Sequence, residues 1–115
     1  MESILVIDDE EAIRYMIYSY LVGAGYEVKE AKDGEEGIDL IKNDDSFKMV
    51  ITDIRMPKKD GNEVAKYIRS SYKLKKIPIV GITGYPDEVD SKLFNHIFVK
   101  PFKMEKLLEV INSFQ

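Results

Sequence analysis

The chain contains no cysteine and a single histidine, His96, among its 115 residues. The first absence excludes a disulfide framework and a thiolate metal site. With one histidine, any metal centre would have to be built largely from oxygen donors. No apolar stretch approaches the roughly 18 residues of a membrane-spanning helix. Met1, Glu2 and Ser3 lead straight into an apolar run with no basic segment before it, so no signal peptide is expected. Repeats, low-complexity tracts and linker-like stretches are also missing. A cytoplasmic location without membrane attachment is expected. Positive charge is in short supply: 17 Lys and Arg stand against 21 Asp and Glu, a net charge of −4, which disfavours direct binding to nucleic acid.

What is present suffices for one ordinary domain. The sequence is 44% hydrophobic and 33% charged, enough to bury a core and keep a solvated surface. Residues 1–115 are expected to form that domain, with no effector domain attached. Short apolar runs alternate with helical spacing. Strands are expected over residues 4–7, 26–31, 49–51, 77–82 and 97–99. The first, Ile4 to Ile7, is continuously apolar, as for a strand covered on both faces. Helices are expected over 10–24, 35–42, 62–72 and 104–114, with Ile13, Met16, Ile17, Tyr20 and Leu21 marking the inner face of the first. The polar stretch 85–94 has room for at most a short helix. Strands separated by helices imply βαβ units and a parallel sheet with helices on both faces.

All strands of such a sheet end along one edge, where ligands of open α/β sheets bind. The first strand ends in Asp8 and Asp9, the third in Asp53, the fourth in Thr83 and the fifth in Lys100. Three carboxylates at one place need a cation beyond a single lysine, and an oxygen-only donor set points to Mg²⁺, with Mn²⁺ as an alternative. Lysine and a threonine hydroxyl suit phosphoryl oxygens. An aspartate can itself be the nucleophile. Adjacent Asp8 and Asp9 suit embracing a cation, whereas Asp53 stands alone and is the preferred acceptor. Asp8 and Glu11 also have capping-box spacing, and Glu10 and Glu11 suit a first helical turn. Lys58, Lys59, Lys73, Lys75 and Lys76 are expected to be solvated. Tyr15, Tyr18 and Tyr20 are expected to be partly packed on the core, and His96 to sit at a loop or strand edge.

The segments "VIDDE", "VITDIRMPKKDG", "IVGITG" and "FVKPF", in this order, resemble the receiver domain of two-component response regulators over essentially the whole chain. The resemblance implies a flavodoxin-like doubly wound five-stranded parallel sheet of order 2-1-3-4-5, in a stand-alone receiver. It implies that Asp53 is the phosphoacceptor and that Asp8, Asp9, Asp53 and the backbone carbonyl of Arg55 hold Mg²⁺. Lys100 would contact the phosphoryl group, Thr83 would move toward it, Gly84 would leave space for the phosphodonor, and Pro101 would follow a cis peptide. The donor would be a histidine kinase or a histidine phosphotransfer protein, and the output a changed affinity for a partner protein. Two departures stand out. The switch position three before Lys100, usually Tyr or Phe, is Ile97, and Phe98 beside it should face the opposite side. The segment from Thr83 to Lys100 is several residues shorter than the family norm, so the fourth helix should be short or irregular. Arg55, two residues after Asp53, is long enough to reach the phosphoryl oxygens or to hinder water.

Three other readings compete. A degenerate receiver acting as a phosphorylation-independent binding module is the main alternative; the complete set of acids, Lys100 and Thr83 weighs against it. A phosphatase with an aspartate nucleophile would carry an acid/base aspartate where Arg55 stands. A flavodoxin-type cofactor binder would need a phosphate-cradling loop where Asp8 and Asp9 would repel phosphate.

Overall fold

The computed structural model describes residues 3–115; Met1 and Glu2, the run-in to the first strand, lie outside the described residues. The elements are β1 (Ser3–Ile7), α1 (Glu11–Gly23), β2 (Val28–Ala31), α2 (Gly34–Asn43), β3 (Phe47–Asp53), α3 (Gly61–Ser70), β4 (Ile79–Thr83), two 3₁₀ turns (Pro86–Glu88 and Ser91–Leu93), β5 (His96–Val99) and α4 (Met104–Ser113). The strands are all parallel, in the order β2-β1-β3-β4-β5, as the resemblance implied.

Side chains alternate across the sheet and feed two apolar layers. Ile4, Val6 and Ile51 face α1 and α4, meeting Ile17, Leu21, Leu107 and Ile111. Leu5, Ile7 and Val50 face α2 and α3, meeting Ile41, Val64, Ala65 and Ile68. Every residue of β1 is therefore buried. Each such Ile or Leu contributes about 1.5–3 kcal/mol on removal from water. Met16 departs from its expected inward place: 47% exposed, it lies at the rim of α1. Tyr15 is 64% exposed and stacks on Tyr18 rather than on the core.

Helix starts follow local side-chain chemistry. Asp33 caps α2 by accepting from the Glu36 N–H, and Asp60 with Glu63 forms a reciprocal capping box at α3. The box expected at Asp8 and Glu11 does not form. Glu10 is the N-cap of α1 without a side-chain cap bond, because the Asp8 carboxylate turns onto the Glu10 N–H instead, at 2.9 Å. Boundaries moved where a polar residue hid a strand or an apolar one extended a helix. β3 begins at buried Phe47, not Met49, despite the intervening Lys48. α3 stops at Ser70, where Ser71 turns extended and leaves Tyr72 89% exposed. β4 begins after Pro78, at Ile79.

The connection from β4 to β5 contains no α-helix. Neither 3₁₀ turn fully buries a residue, and most of the side chains between Tyr85 and Leu93 are polar. Polar anchors hold the connection together with Leu93 and Phe94, which pack partly buried on the α2 and α3 layer. The Arg69 guanidinium donates to the carbonyls of Leu93, Lys75 and Ile77 and to Asn95 Oδ1. Asn62 Nδ2 donates to the Glu88 carbonyl at 2.7 Å, and the Asp90 N–H donates to Asn62 Oδ1 at 2.9 Å.

Candidate functional site at the carboxyl edge of the sheet

Strand register assembles the site. Ile7 pairs with Thr52, Asp53 with Ile82, and Thr83 with Val99. Asp8, Asp53, Thr83 and Lys100 thus fall at the ends of neighbouring strands along one edge. Asp9, Glu10, Asp53, Arg55, Thr83, Gly84, Tyr85 and Lys100 line a cleft of about 530 Å³ there.

Asp53 is 5% exposed. Its Oδ1 accepts from the Ile54 N–H at 2.9 Å, and its Oδ2 lies 3.5 Å from Lys100 Nζ. Lys100 Nζ is also 3.5 Å from Glu10 Oε1, and the Lys100 N–H is fixed to the Thr83 carbonyl at 2.8 Å. The Lys100–Pro101 peptide is cis. Thr83 Oγ1 accepts from the Tyr85 N–H at 2.8 Å, which leaves its own hydroxyl hydrogen free to donate into the cleft. Nothing stands within 4 Å of the space over Gly84.

Gly61 closes the loop after β3. A Cβ at this position would stand 2.4 Å from the Asp53 carbonyl oxygen and 2.9 Å from Ile54 Cα. Only glycine lets its N–H approach the Ile54 carbonyl to 2.8 Å and so shape the chain beyond Asp53.

Asp8 is 1% exposed. Its Oδ1 has the Glu10 N–H, but its Oδ2 is buried without a partner. Carboxylate oxygens of Asp8, Glu10 and Asp53 lie within 4.8 Å of one another. Asp9 lines the cleft and is exposed. The third carboxylate of this tight group is therefore Glu10, which sequence spacing had assigned to the start of a helix. The turn made by Asp8 over the Glu10 N–H brings it back toward the edge, a signal no linear pattern carries. Burial, the largest influence, pushes the Asp8 carboxyl from 3.8 up to about 6, with Asp53 and Asp9 adding to it. Burial also raises Asp53, against the pull of Lys100 and the Ile54 N–H. Burial works against the Lys100 ammonium, but Asp53 and Asp8 outweigh it and raise its pKa. An all-oxygen group with a buried unpartnered oxygen and two carboxyls disfavoured as anions fits a hard divalent cation.

The residues expected to be solvated or peripheral fall mostly as anticipated. His96 is the exposed first residue of β5, its ring 4.6 Å from Phe98. Lys58 is exposed yet lies 3.9 Å from Asp33 and 3.8 Å from Glu35. Ile97 packs toward Gly81 and Phe94, while Phe98 faces the opposite layer. Arg55 lines the cleft, but its guanidinium is taken up by Glu88 and Tyr85.

An order-2-1-3-4-5 sheet with three acids, a lysine and a threonine at its carboxyl edge defines a receiver-type phosphoacceptor fold. Residues 4–112 match the family model described as response regulator receiver domain, and the chain belongs to that family. The chemotaxis protein CheY1 of Helicobacter pylori is 38% identical over 112 residues, covering 92% of this chain and 90% of that protein. The solved chemotaxis response regulator CheY4 of Vibrio cholerae superposes with a TM-score of 0.89 at 32% identity, covering 100% of this chain and 99% of the other. The response regulator TrrA of Thermotoga maritima, solved in complex with Mg²⁺–BeF, gives 0.88 at 34% identity with full coverage of both chains. The chain is thus a signalling protein, a phosphoacceptor receiver of two-component systems. Among the described residues, no helix is long and apolar enough to cross a membrane.

Proposed function

We propose that Asp53 is the acceptor and that a phosphohistidine, on a histidine kinase or a histidine phosphotransfer protein, is the donor. The observation that carries this is the placement of Asp53. It stands alone at the end of the central strand, opens into the cleft, and has Lys100 Nζ 3.5 Å from Oδ2. In the transfer, an Asp53 carboxylate oxygen forms a bond to phosphorus while the phosphorus–nitrogen bond of the phosphohistidine breaks. The imidazole leaves with the electron pair and takes up a proton. Lys100 neutralises the transferring oxygens, and the Thr83 hydroxyl donates to one of them once the group has arrived. Gly84 keeps the approach open.

Asp8, Glu10 and Asp53 would hold Mg²⁺, with Mn²⁺ able to replace it; the family resemblance would add Asp9 and the Arg55 carbonyl to that set. The ion supplies charge neutralisation at the phosphoryl oxygens. Hydrolysis of the acyl phosphate would follow by attack of water at phosphorus, restoring the Asp53 carboxylate and releasing inorganic phosphate. The phosphoryl group adds nearly two negative charges, and output is a changed affinity for a partner protein in the cytoplasm. Ile97 is not an aromatic rotor, so the change has to leave the site by another route.

The test is phosphorylation by acetyl phosphate with Mg²⁺, read by intact mass, for wild type and Asp53→Asn. One phosphoryl group on wild type and none on the variant is expected. No uptake by wild type from several small donors would instead favour a receiver that works as a phosphorylation-independent binding module.

A further inference from the structure

Arg55 is the second cation lining the cleft, and its guanidinium is paired with Glu88 and not with the acids at the strand ends. Its Nε donates to Glu88 Oε1 at 3.0 Å and its Nη2 to Glu88 Oε2 at 2.6 Å. The guanidinium carbon lies 3.7 Å from the centre of the Tyr85 ring. Glu88 closes the first 3₁₀ turn, and its carbonyl is bracketed, together with the Asp90 N–H, by Asn62 of α3. One bidentate pair therefore ties the loop after the acceptor strand to the segment that follows Thr83.

We propose that Arg55 and Glu88 form a charge-exchange latch: a phosphoryl group on Asp53 draws Arg55 off Glu88 and frees the segment from Tyr85 to Asp90. The inference rests on the reading of Asp53 as acceptor. The phosphoryl group presents nearly two negative charges and three acceptor oxygens, against the single charge of Glu88. A guanidinium binds phosphate as readily in the bidentate manner as it binds carboxylate. Arg55 begins two residues from Asp53 and borders the same cleft as Thr83 and Lys100, so the exchange needs only a swing of its long stem. What it leaves is weakly held. The Arg55 and Glu88 side chains are 58% and 42% exposed, and exposed pairs are the least costly to break. The segment is free to respond because neither 3₁₀ turn buries a residue. The latch supplies the route that Ile97 cannot: the signal leaves through an arginine and a polar turn.

The test is ¹⁵N NMR of wild type, Glu88→Ala and Asp53→Asn, with and without acetyl phosphate and Mg²⁺, on samples whose phosphoryl content is read by intact mass. Glu88 meets Asn62 only through its backbone carbonyl, so Glu88→Ala is expected to fold and to take up one phosphoryl group as wild type does. On phosphorylation of wild type, the Arg55 Nε–H signal should move, and the amides of Glu88, Val89 and Asp90 should exchange about two- to fivefold faster. Unphosphorylated Glu88→Ala should already show the faster exchange, and phosphorylation should add little. Phosphorylated wild type with its Arg55 and segment signals at their resting positions would overturn the latch and leave the acceptor reading standing. So would resting-rate exchange in Glu88→Ala. A phosphoryl group on Asp53→Asn, or none on wild type, removes both.

Discussion

Replacing Asp8 by asparagine should stabilise the metal-free protein, and by an amount that depends on pH. Asp8 is almost fully buried, its Oδ2 has no partner, and its carboxyl is pushed from 3.8 up to about 6. Protonated Asp8 is thus favoured in the folded state. Below about pH 4 the group is neutral in both states and costs nothing. As pH rises through 4 to 6 the unfolded chain ionises first and stability falls, and above about 6 the full penalty is present. At about 1.4 kcal/mol per tenfold difference in proton affinity, that penalty is about 3 kcal/mol near neutrality. Asparagine keeps the oxygen that accepts from the Glu10 N–H and cannot ionise. The Asp8→Asn variant should therefore gain about 1–3 kcal/mol near pH 7.5, which for a domain of this size raises Tm by roughly 4–12 °C, and gain almost nothing near pH 4. Urea unfolding in EDTA at both pH values measures this directly. Adding Mg²⁺ should raise the wild-type midpoint by mass action and leave that of Asp8→Asn nearly unmoved. A variant less stable than wild type near pH 7.5, or a gain of equal size at both pH values, would show that burial of the Asp8 charge is not the dominant cost at this edge.

Two other perturbations probe how the site is carried. Gly61→Ala places a methyl group 2.4 Å from the Asp53 carbonyl oxygen, so the loop after β3 has to shift; about 2–3 kcal/mol of stability should be lost, with slower phosphoryl uptake from acetyl phosphate. Asp60→Ala breaks the capping box of α3 and should cost about 1 kcal/mol in urea unfolding with phosphoryl uptake unchanged, separating helix stability from the chemistry.

The sheet was legible because each central strand is a short apolar run that ends in a polar group with work to do. Asp8, Asp53, Thr83 and Lys100 are such ends, and parallel pairing turns their positions into a cluster without any need to know the loops. The missing α-helix between β4 and β5 could be anticipated in part: residues 85–94 are mostly polar and leave room for at most a short helix. What sequence could not give is set by turns and by pairs distant along the chain. Glu10 joins the acids only because Asp8 folds the chain back over its N–H. Glu88 meets Arg55 across 33 positions, and nothing local marks either as a partner. Met16 and Tyr15 fit helical spacing, yet α1 packs on the sheet through Ile17 and Leu21 and leaves its flank to solvent.

Arg69 gives the β4–β5 connection an unusual kind of cohesion. Its guanidinium binds four oxygen acceptors around the base of that segment, beside Leu93 and Phe94, which are only partly buried on the α2 and α3 layer. Hydrogen bonds of this sort are directional and are exchanged for water at little net cost. Lifting the first turn, none of whose residues is buried, would uncover little hydrocarbon, so it should involve little change in heat capacity and little sensitivity to denaturant. Motion there is uncoupled from melting: the surface beside the phosphoacceptor can rearrange many times while the two apolar layers beneath it remain closed.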